Sequence, residues 1–459
     1  MDLPYNDSIV YSSATDATLT QWHEIAAKTQ HVLMSGSKQP LHYTATAGHL
    51  TTNAPNGNPE ASIFYVAYTV DEVDNELRPL TFFFNGGPGT STLWLHLGSW
   101  GPLRILTGVP KTTVSSFPLV ESEDTLLFDS DLVFIDAPGT GYSQAIAPNT
   151  NKTFFNPDSD AAVFSHFIRR YLEINQRKQS PLYLYGESYG GFRSCIIAQL
   201  LETAGIHLTG IVMNSPALNF REIPEDRLIN ILPTIAAIST YFERSDKPAS
   251  VNLQDYLKTV QAFTENIYAS AVMKQADNSR DPISPQALTK LSGITGLSTQ
   301  IVSPVFPYIL GAFLDQLKPG YRLELTDGRI AVPANSQLAY RQAFRDTQKT
   351  YFTHILKYIS DSPYTIARDP VWSFGEHRDA IPDLGTALFQ NSKLRILAIS
   401  GYYDLDVPFM EVEKELGRLE PLDNVRVLQF EGGHMIYLTD SSRSQIRAEL
   451  HKLYTVSPF

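Results

Sequence analysis

Short stretches of the chain are apolar at nearly every position: Leu80–Phe84, Leu132–Ile135, Leu182–Tyr185, Ile211–Met213, Leu394–Ile399 and Val425–Phe430. Each runs into Gly, Pro, Asn or Asp, as a strand feeding a loop does. Without polar alternation, these runs predict strands covered on both faces, hence a mostly parallel sheet with crossover helices. Ile63–Val70, apolar and rich in β-branched residues, predicts a further strand. Ahead of it, residues 1–40 form a polar lead-in, with spacing that predicts a helix near Ala17–Val32.

The texture changes between about Asn219 and Leu384. Asp226–Phe242, Asn252–Ala276, Pro285–Leu291 and Gln337–Ile359 carry apolar residues at helical period, and Asn252 and Ser284-Pro285 read as helix starts. Asp327-Gly328, inside Leu323–Val332, is a two-residue hairpin signal. The strand rhythm resumes only at Leu394. The expected organisation is an α/β domain from 1–218 and 385–459, with 219–384 a mainly helical insertion, larger than an ordinary loop.

At 459 residues and 43% hydrophobic, the chain exceeds the ~250–300 residues at which single cores stop growing, which fits a core plus a second element. The longest uninterrupted apolar run, Ile63–Tyr68, falls far short of the roughly 20 residues a membrane span needs. A net charge of −12 and the lack of any Lys/Arg block argue against a nucleic-acid partner, and no membrane partner is expected. The first twenty residues hold Asp2, Asp7 and Asp16 without a base or an apolar leader core. Cys195 is the single cysteine, so no intrachain disulfide can form. Together these give a cytoplasmic expectation, with secretion of a processed chain left open.

The chemistry concentrates where strands end. Leu182–Tyr185 leads into Gly186-Glu187-Ser188-Tyr189-Gly190, and a helix-like segment follows. A strand, G-x-S-x-G and a helix make the sharp turn that exposes a nucleophilic Ser; a Gly-rich turn with a capping Ser is the plainer alternative. A nucleophilic Ser needs a base, and the base an orienting acid. His434 follows strand Val425–Phe430, while Asp404 and Asp406 both follow Leu394–Ile399. The order Ser, Asp, His is that of α/β-hydrolases, and each partner sits just past a strand, at the sheet edge where functional groups gather. An oxyanion hole needs backbone N–H groups: Tyr189 follows the Ser, and Asn85-Gly86-Gly87-Pro88-Gly89 follows an early strand. No Lys-Ser/Thr follows these glycines, as a phosphate-binding loop would require. No metal-ligand spacing is present, and no cofactor is expected.

Four blocks in this order resemble the serine carboxypeptidase family of α/β-hydrolases: Asn85–Gly89, Asp136–Ser143 (Asp-Ala-Pro-Gly-Thr-Gly-Tyr-Ser), Gly186–Gly190 and Gly433-His434-Met435, with Gly401–Pro408 between the last two. The resemblance implies an α/β-hydrolase fold with a helical cap. It also implies a triad of Ser188, Asp404 and His434, an oxyanion hole from the Gly87 and Tyr189 amides, and a substrate C-terminal carboxylate held by Asn85 and Glu187. The family spacing selects Asp404 over Asp406. Thr90 stands where many members have Cys, and Gly98–Gly101 holds no Glu where many place a second acid. The expected activity is release of C-terminal residues from peptides, with acyl transfer or ester hydrolysis through the same acyl-enzyme as the alternative. A non-catalytic binding protein on this fold is the rival from another class. A peptide or small acyl substrate is the expected partner, and the sequence leaves the oligomeric state open.

Overall fold

The computed structural model describes residues 2–455 apart from 35, 37, 38, 75, 222, 223, 278–282, 334, 335, 337 and 420–422. A ten-stranded sheet forms its centre. The parallel strands run, in spatial order, Val425–Phe430, Arg395–Gly401, Gly210–Asn214, Leu182–Glu187, Leu80–Phe84 and Asp131–Ile135. Pro59–Val70, Leu41–Asn53 and Ala26–Leu33 extend it antiparallel, and the short strand Gln144–Ala145 pairs with Pro59–Val70. Every apolar run singled out in the sequence lies in one of these strands, except that Leu394 falls one residue before its own.

Side chains leave successive strand residues on opposite faces, and the strand Leu182–Glu187 shows the consequence. Tyr183 and Tyr185 enter one core with the helix Asp440–Tyr454, while Leu182 and Leu184 enter another with the helices Pro157–Ile174 and Tyr189–Thr203. Covered on both sides, such strands have no need of polar alternation. The helix expected near Ala17–Val32 is absent; Ala26–Leu33 is instead a strand paired with Leu41–Asn53. Its burial alternates, with Ala27, Thr29 and Leu33 inward and Lys28 and Gln30 exposed. A partner strand overrode a weak helical spacing.

The stretch expected as an insertion contains two kinds of packing. Helices Pro224–Asn230, Leu232–Tyr241, Leu253–Phe263, Pro285–Thr295 and Ile309–Gln316 gather around a core of their own, which also takes in Tyr402, Tyr403, Leu405 and Phe409. This cap therefore rests on the loop that carries Asp404. Residues from Leu338 to Ile366 join the core beneath the sheet instead, through Phe344, Tyr351, Phe352 and Tyr358. Gln337 itself lies outside the described residues. Asn252 and Ser284 cap their helices through side-chain oxygens that accept from Asp255 N and Ala287 N. The hairpin around Asp327-Gly328 exists, but its paired strands are Arg322–Leu323 and Ala331–Val332, so the connection is wider than two residues. Asp327 is held by Arg329, and Gly328 N donates to Tyr403 O, which binds this loop to the cap side of the active edge. Among the described residues, no helix is long and apolar enough to cross a membrane.

Candidate active site

Ser188 stands between the strand Leu182–Glu187 and the helix Tyr189–Thr203 with φ 61° and ψ −126°, a conformation costly for a residue with a Cβ. Its neighbours leave no room for a gentler turn. A Cβ on Gly186 would lie 2.2 Å from Gly190 O, so only glycine permits the strand to meet the helix this closely. The turn is pinned by Ser188 N donating to Asn214 O (3.0 Å) and by Ser188 O accepting from Gly191 N and Ala217 N.

His434 and Asp404 meet: His434 Nδ1 and Asp404 Oδ2 are 2.7 Å apart, with the carboxylate fully buried. The other Asp404 oxygen accepts from the amides of Asp406 and Val407. Burial disfavours the imidazolium, but the charge and hydrogen bond of Asp404 outweigh it and raise the pKa of His434. Asp406 is exposed and lies outside this pair.

The loop Asn85–Thr90 crosses the start of the Ser188 helix. A Cβ on Gly86 would come within 2.5 Å of Tyr189 N, so the backbone of Gly86-Gly87 runs directly beside that amide. Gly87 lines the same cleft as Ser188. Two N–H groups expected to face a developing oxyanion are thus brought to one place. Arg193 anchors the loop by donating to Asn85 O (2.7 Å) while its guanidinium pairs with buried Asp160 (2.7 Å). From outside, Ser91 N donates to Ile366 O and Arg368 N to Gly89 O, a strap across the loop.

Asn85 and Glu187 lie together, but turned toward each other. Asn85 Nδ2 donates to Glu187 Oε1 at 2.6 Å, and the residues are only 2% and 4% exposed. Burial pushes Glu187 up to about 7, against the lowering influence of His434, Tyr437 and Asn85. The Gly98–Gly101 stretch brings no second acid here; the Ser99 hydroxyl bonds back to Leu95 O.

Sequence reasoning missed Asn214, which joins these parts. Its carbonyl holds Ser188 N, while its Nδ2 donates to His434 O (3.0 Å) and to Glu187 Oε2 (3.4 Å). Ser215 Oγ donates to the same His434 carbonyl, and His434 N donates to Thr326 O in the hairpin loop. The signal available was an Asn-Ser pair closing the apolar run Ile211–Met213, at the edge where the other site residues end their strands. Arg193 gave no signal, being one charged residue in an otherwise ordinary helix.

A strained Ser after a parallel-sheet strand, a His–Asp pair from the ends of Arg395–Gly401 and Val425–Phe430, and a Gly-rich loop at the following amide make the arrangement expected on an α/β-hydrolase fold. The family model for serine carboxypeptidase matches residues 36–223. Among similar curated proteins, Serine carboxypeptidase-like 2 of Arabidopsis thaliana is 26% identical over 226 residues, 46% of this chain and 49% of that protein. Serine carboxypeptidase-like 36 of the same plant is 27% identical over 209 residues, 42% of this chain and 38% of that one. The matched stretch thus spans about half the length of these relatives or less. The fold matches the crystal structure of Kex1(delta)p, a prohormone-processing carboxypeptidase from Saccharomyces cerevisiae, with a TM-score of 0.59 and 16% identity over 89% of this chain and 91% of that one. The resemblance to the serine carboxypeptidase family is therefore shown in sequence, and the α/β-hydrolase fold in structure.

Proposed function

We propose that this chain is a serine carboxypeptidase-like hydrolase that cleaves C-terminal residues from peptides through an acyl-enzyme on Ser188. The observation that carries the reading is the 2.7 Å bond between His434 Nδ1 and Asp404 Oδ2, on strand ends beside a Ser held at positive φ. With Nδ1–H committed to Asp404, the free Nε2 of a neutral His434 takes the Ser188 proton as Oγ attacks the acyl carbon. The oxyanion that forms is met by the amides of Gly87 and Tyr189. His434 then returns the proton to the leaving group, and water repeats the sequence to release the acyl product. No metal or cofactor enters these steps.

A second reading, acyl transfer or ester hydrolysis through the same intermediate, is favoured by one observation. Asn85 and Glu187, the pair expected to clamp a substrate carboxylate, satisfy each other in the free protein. Incubation with a mixed peptide library, followed by mass spectrometry, separates the readings. Single losses from C-termini support the carboxypeptidase; turnover confined to esters, or capture of the acyl group by an added alcohol, supports the alternative. Failure of a fluorophosphonate to label Ser188 would remove both and leave a binding protein.

A further inference from the structure

The hairpin 322–332 lies within the stretch 219–384, yet its turn reaches the two loops that carry Asp404 and His434. Leu323 and Ala331 enter the cap core, while Ile330 enters the core beneath the sheet. From the turn, three backbone hydrogen bonds cross to the active edge. His434 N donates to Thr326 O (2.6 Å), Leu405 N to Leu325 O (2.9 Å), and Gly328 N to Tyr403 O (2.8 Å). The fit is close. A Cβ on Gly433 would lie 2.5 Å from Asp327 Cβ, so only glycine lets the residue before His434 pass the hairpin. The two loops are themselves joined, Tyr403 N donating to Gly432 O at 3.0 Å. A displacement of the hairpin is therefore felt at both Asp404 and His434.

Arg329 holds this junction from inside. Its side chain is 4% exposed, and its guanidinium touches all three segments. Nε and one terminal nitrogen donate to the two Asp327 oxygens (2.9 and 2.7 Å), which fixes the turn of the hairpin. The same terminal nitrogen donates to Thr439 Oγ1 (2.9 Å), on the segment that follows His434. The guanidinium also lies 4.7 Å from the centre of the Tyr403 ring, next to Asp404 in the chain. The described lining of the cleft at Ser188 does not include Arg329, so it acts through other residues. A plain buried ion pair would offer little here, because desolvation offsets its attraction. What the planar fork supplies is direction, since its donors fix angle as well as distance toward Asp327 and Thr439 together.

We propose that Arg329 is a positioning residue for the reaction at Ser188: by clamping the hairpin to Tyr403 and Thr439, it sets the approach of Asp404 to His434. The proposal rests on the acyl-transfer reading and adds to it a dependence on the hairpin. Its consequence is a pH effect. The charged groups that raise the His434 pKa are Asp404, Asp406 and Glu187, with Asp404 foremost, while Asp327 and Arg329 neutralise each other on the hairpin. Loosening the clamp weakens the hold of Asp404, leaves burial less opposed, and lets His434 lose its proton at lower pH.

The test uses two variants of the full chain that leave its charge unchanged, so that a pH shift reports geometry. Arg329→Lys keeps the cation and loses the fork; Thr439→Val removes only the tether to the His434 segment. The readout is the rate constant for labelling of Ser188 by a fluorophosphonate, followed against pH and corrected for the folded fraction found by urea unfolding. Arg329→Lys lowers the plateau rate on the order of 10²-fold, as a displacement of about 1 Å at a reacting group warrants. Thr439→Val lowers it by a smaller factor. In both variants the plateau is reached at lower pH than in wild type. A merely structural arginine costs folded fraction and moves neither the corrected rate nor its pH profile, and that result overturns the proposal. A rate that falls with an unmoved pH profile also overturns it, since His434 then keeps its partner. If Arg329→Lys does not fold, Thr439→Val, which retains the Arg329–Asp327 pair, decides alone. Wild type that resists labelling defeats the acyl-transfer reading and the proposal with it, whereas wild type labelled at a rate the variants share defeats the proposal alone.

Discussion

Asp404 Oδ2 lies 2.7 Å from His434 Nδ1, while Asp406, two residues on, faces open cleft. Both acids follow the same strand; burial separates them, because Asp404 is enclosed with two backbone amides and an imidazole as its donors. Asp404→Asn should lower kcat/KM on the order of 10⁴-fold, since an amide cannot hold His434 in the productive tautomer. Asp406→Asn should change turnover of an uncharged substrate far less. Steady-state kinetics on the two purified variants checks this, and reversed costs would discard Asp404 as the orienting acid.

Asp404 also governs pH dependence. It raises the His434 pKa, and only neutral imidazole can accept the Ser188 proton, so activity should climb as pH rises through the value of the pair. In Asp404→Asn the residual activity should reach its plateau at lower pH, because the main opposition to burial is gone and only the weaker influence of Asp406 and Glu187 remains. A plateau that stays put or moves to higher pH would contradict this electrostatic role.

Ser188 stores backbone strain. Ser188→Ala should remove turnover and keep the strained φ, whereas Ser188→Gly should remove turnover and release it. The glycine variant should be more stable than the alanine variant by about 1 kcal/mol, the strain relief exceeding the extra chain entropy glycine carries. Urea unfolding of the two proteins gives the comparison, and an alanine variant that is the more stable would contradict it.

Glu187 makes stability depend on pH in a stated direction. Its pKa in the folded protein is about 7, above the ordinary 4.5, so the folded state holds the proton longer than the unfolded chain. Its contribution is fully present at low pH and lost as pH rises from the unfolded value through the folded one. Glu187→Gln, which never ionises, should gain stability relative to wild type by roughly 2–3 kcal/mol between pH 5 and pH 8. A stability difference independent of pH would show that Glu187 is not desolvated. If Glu187 also receives a substrate carboxylate, the same variant should flatten any alkaline loss specific to free-acid peptides over amidated ones.

Arg193 holds the loop Asn85–Thr90, proposed to meet the oxyanion, by its grip on Asn85 O, and Asp160 neutralises it. Arg193→Lys keeps the charge but not the planar fork. It should lose stability by about 1–3 kcal/mol and lower kcat more than it raises KM, as the loop amides drift from the oxyanion. Unchanged kcat with normal stability would remove Arg193 from the loop's support.

The sequence by itself determined the parallel part of the sheet and which residues are candidates for the reacting groups. Strands buried on both faces must be apolar throughout, so Leu80–Phe84 and Leu182–Tyr185 announce themselves, and the glycines around Ser188 and at Gly86 stand where a Cβ would strike backbone. The N-terminal strand Ala26–Leu33 was not legible, because its polar and small residues fit a strand only once Leu41–Asn53 lies beside them. Tertiary structure alone decided that Asn85 and Glu187 turn toward one another and that Asn214 links Ser188 to His434. The physical reason is common to all of these. A strand or a tight turn is written in the volumes and polarity of consecutive side chains, whereas a carboxylate or an amide acquires its partner, its burial and its pKa from groups remote in the chain.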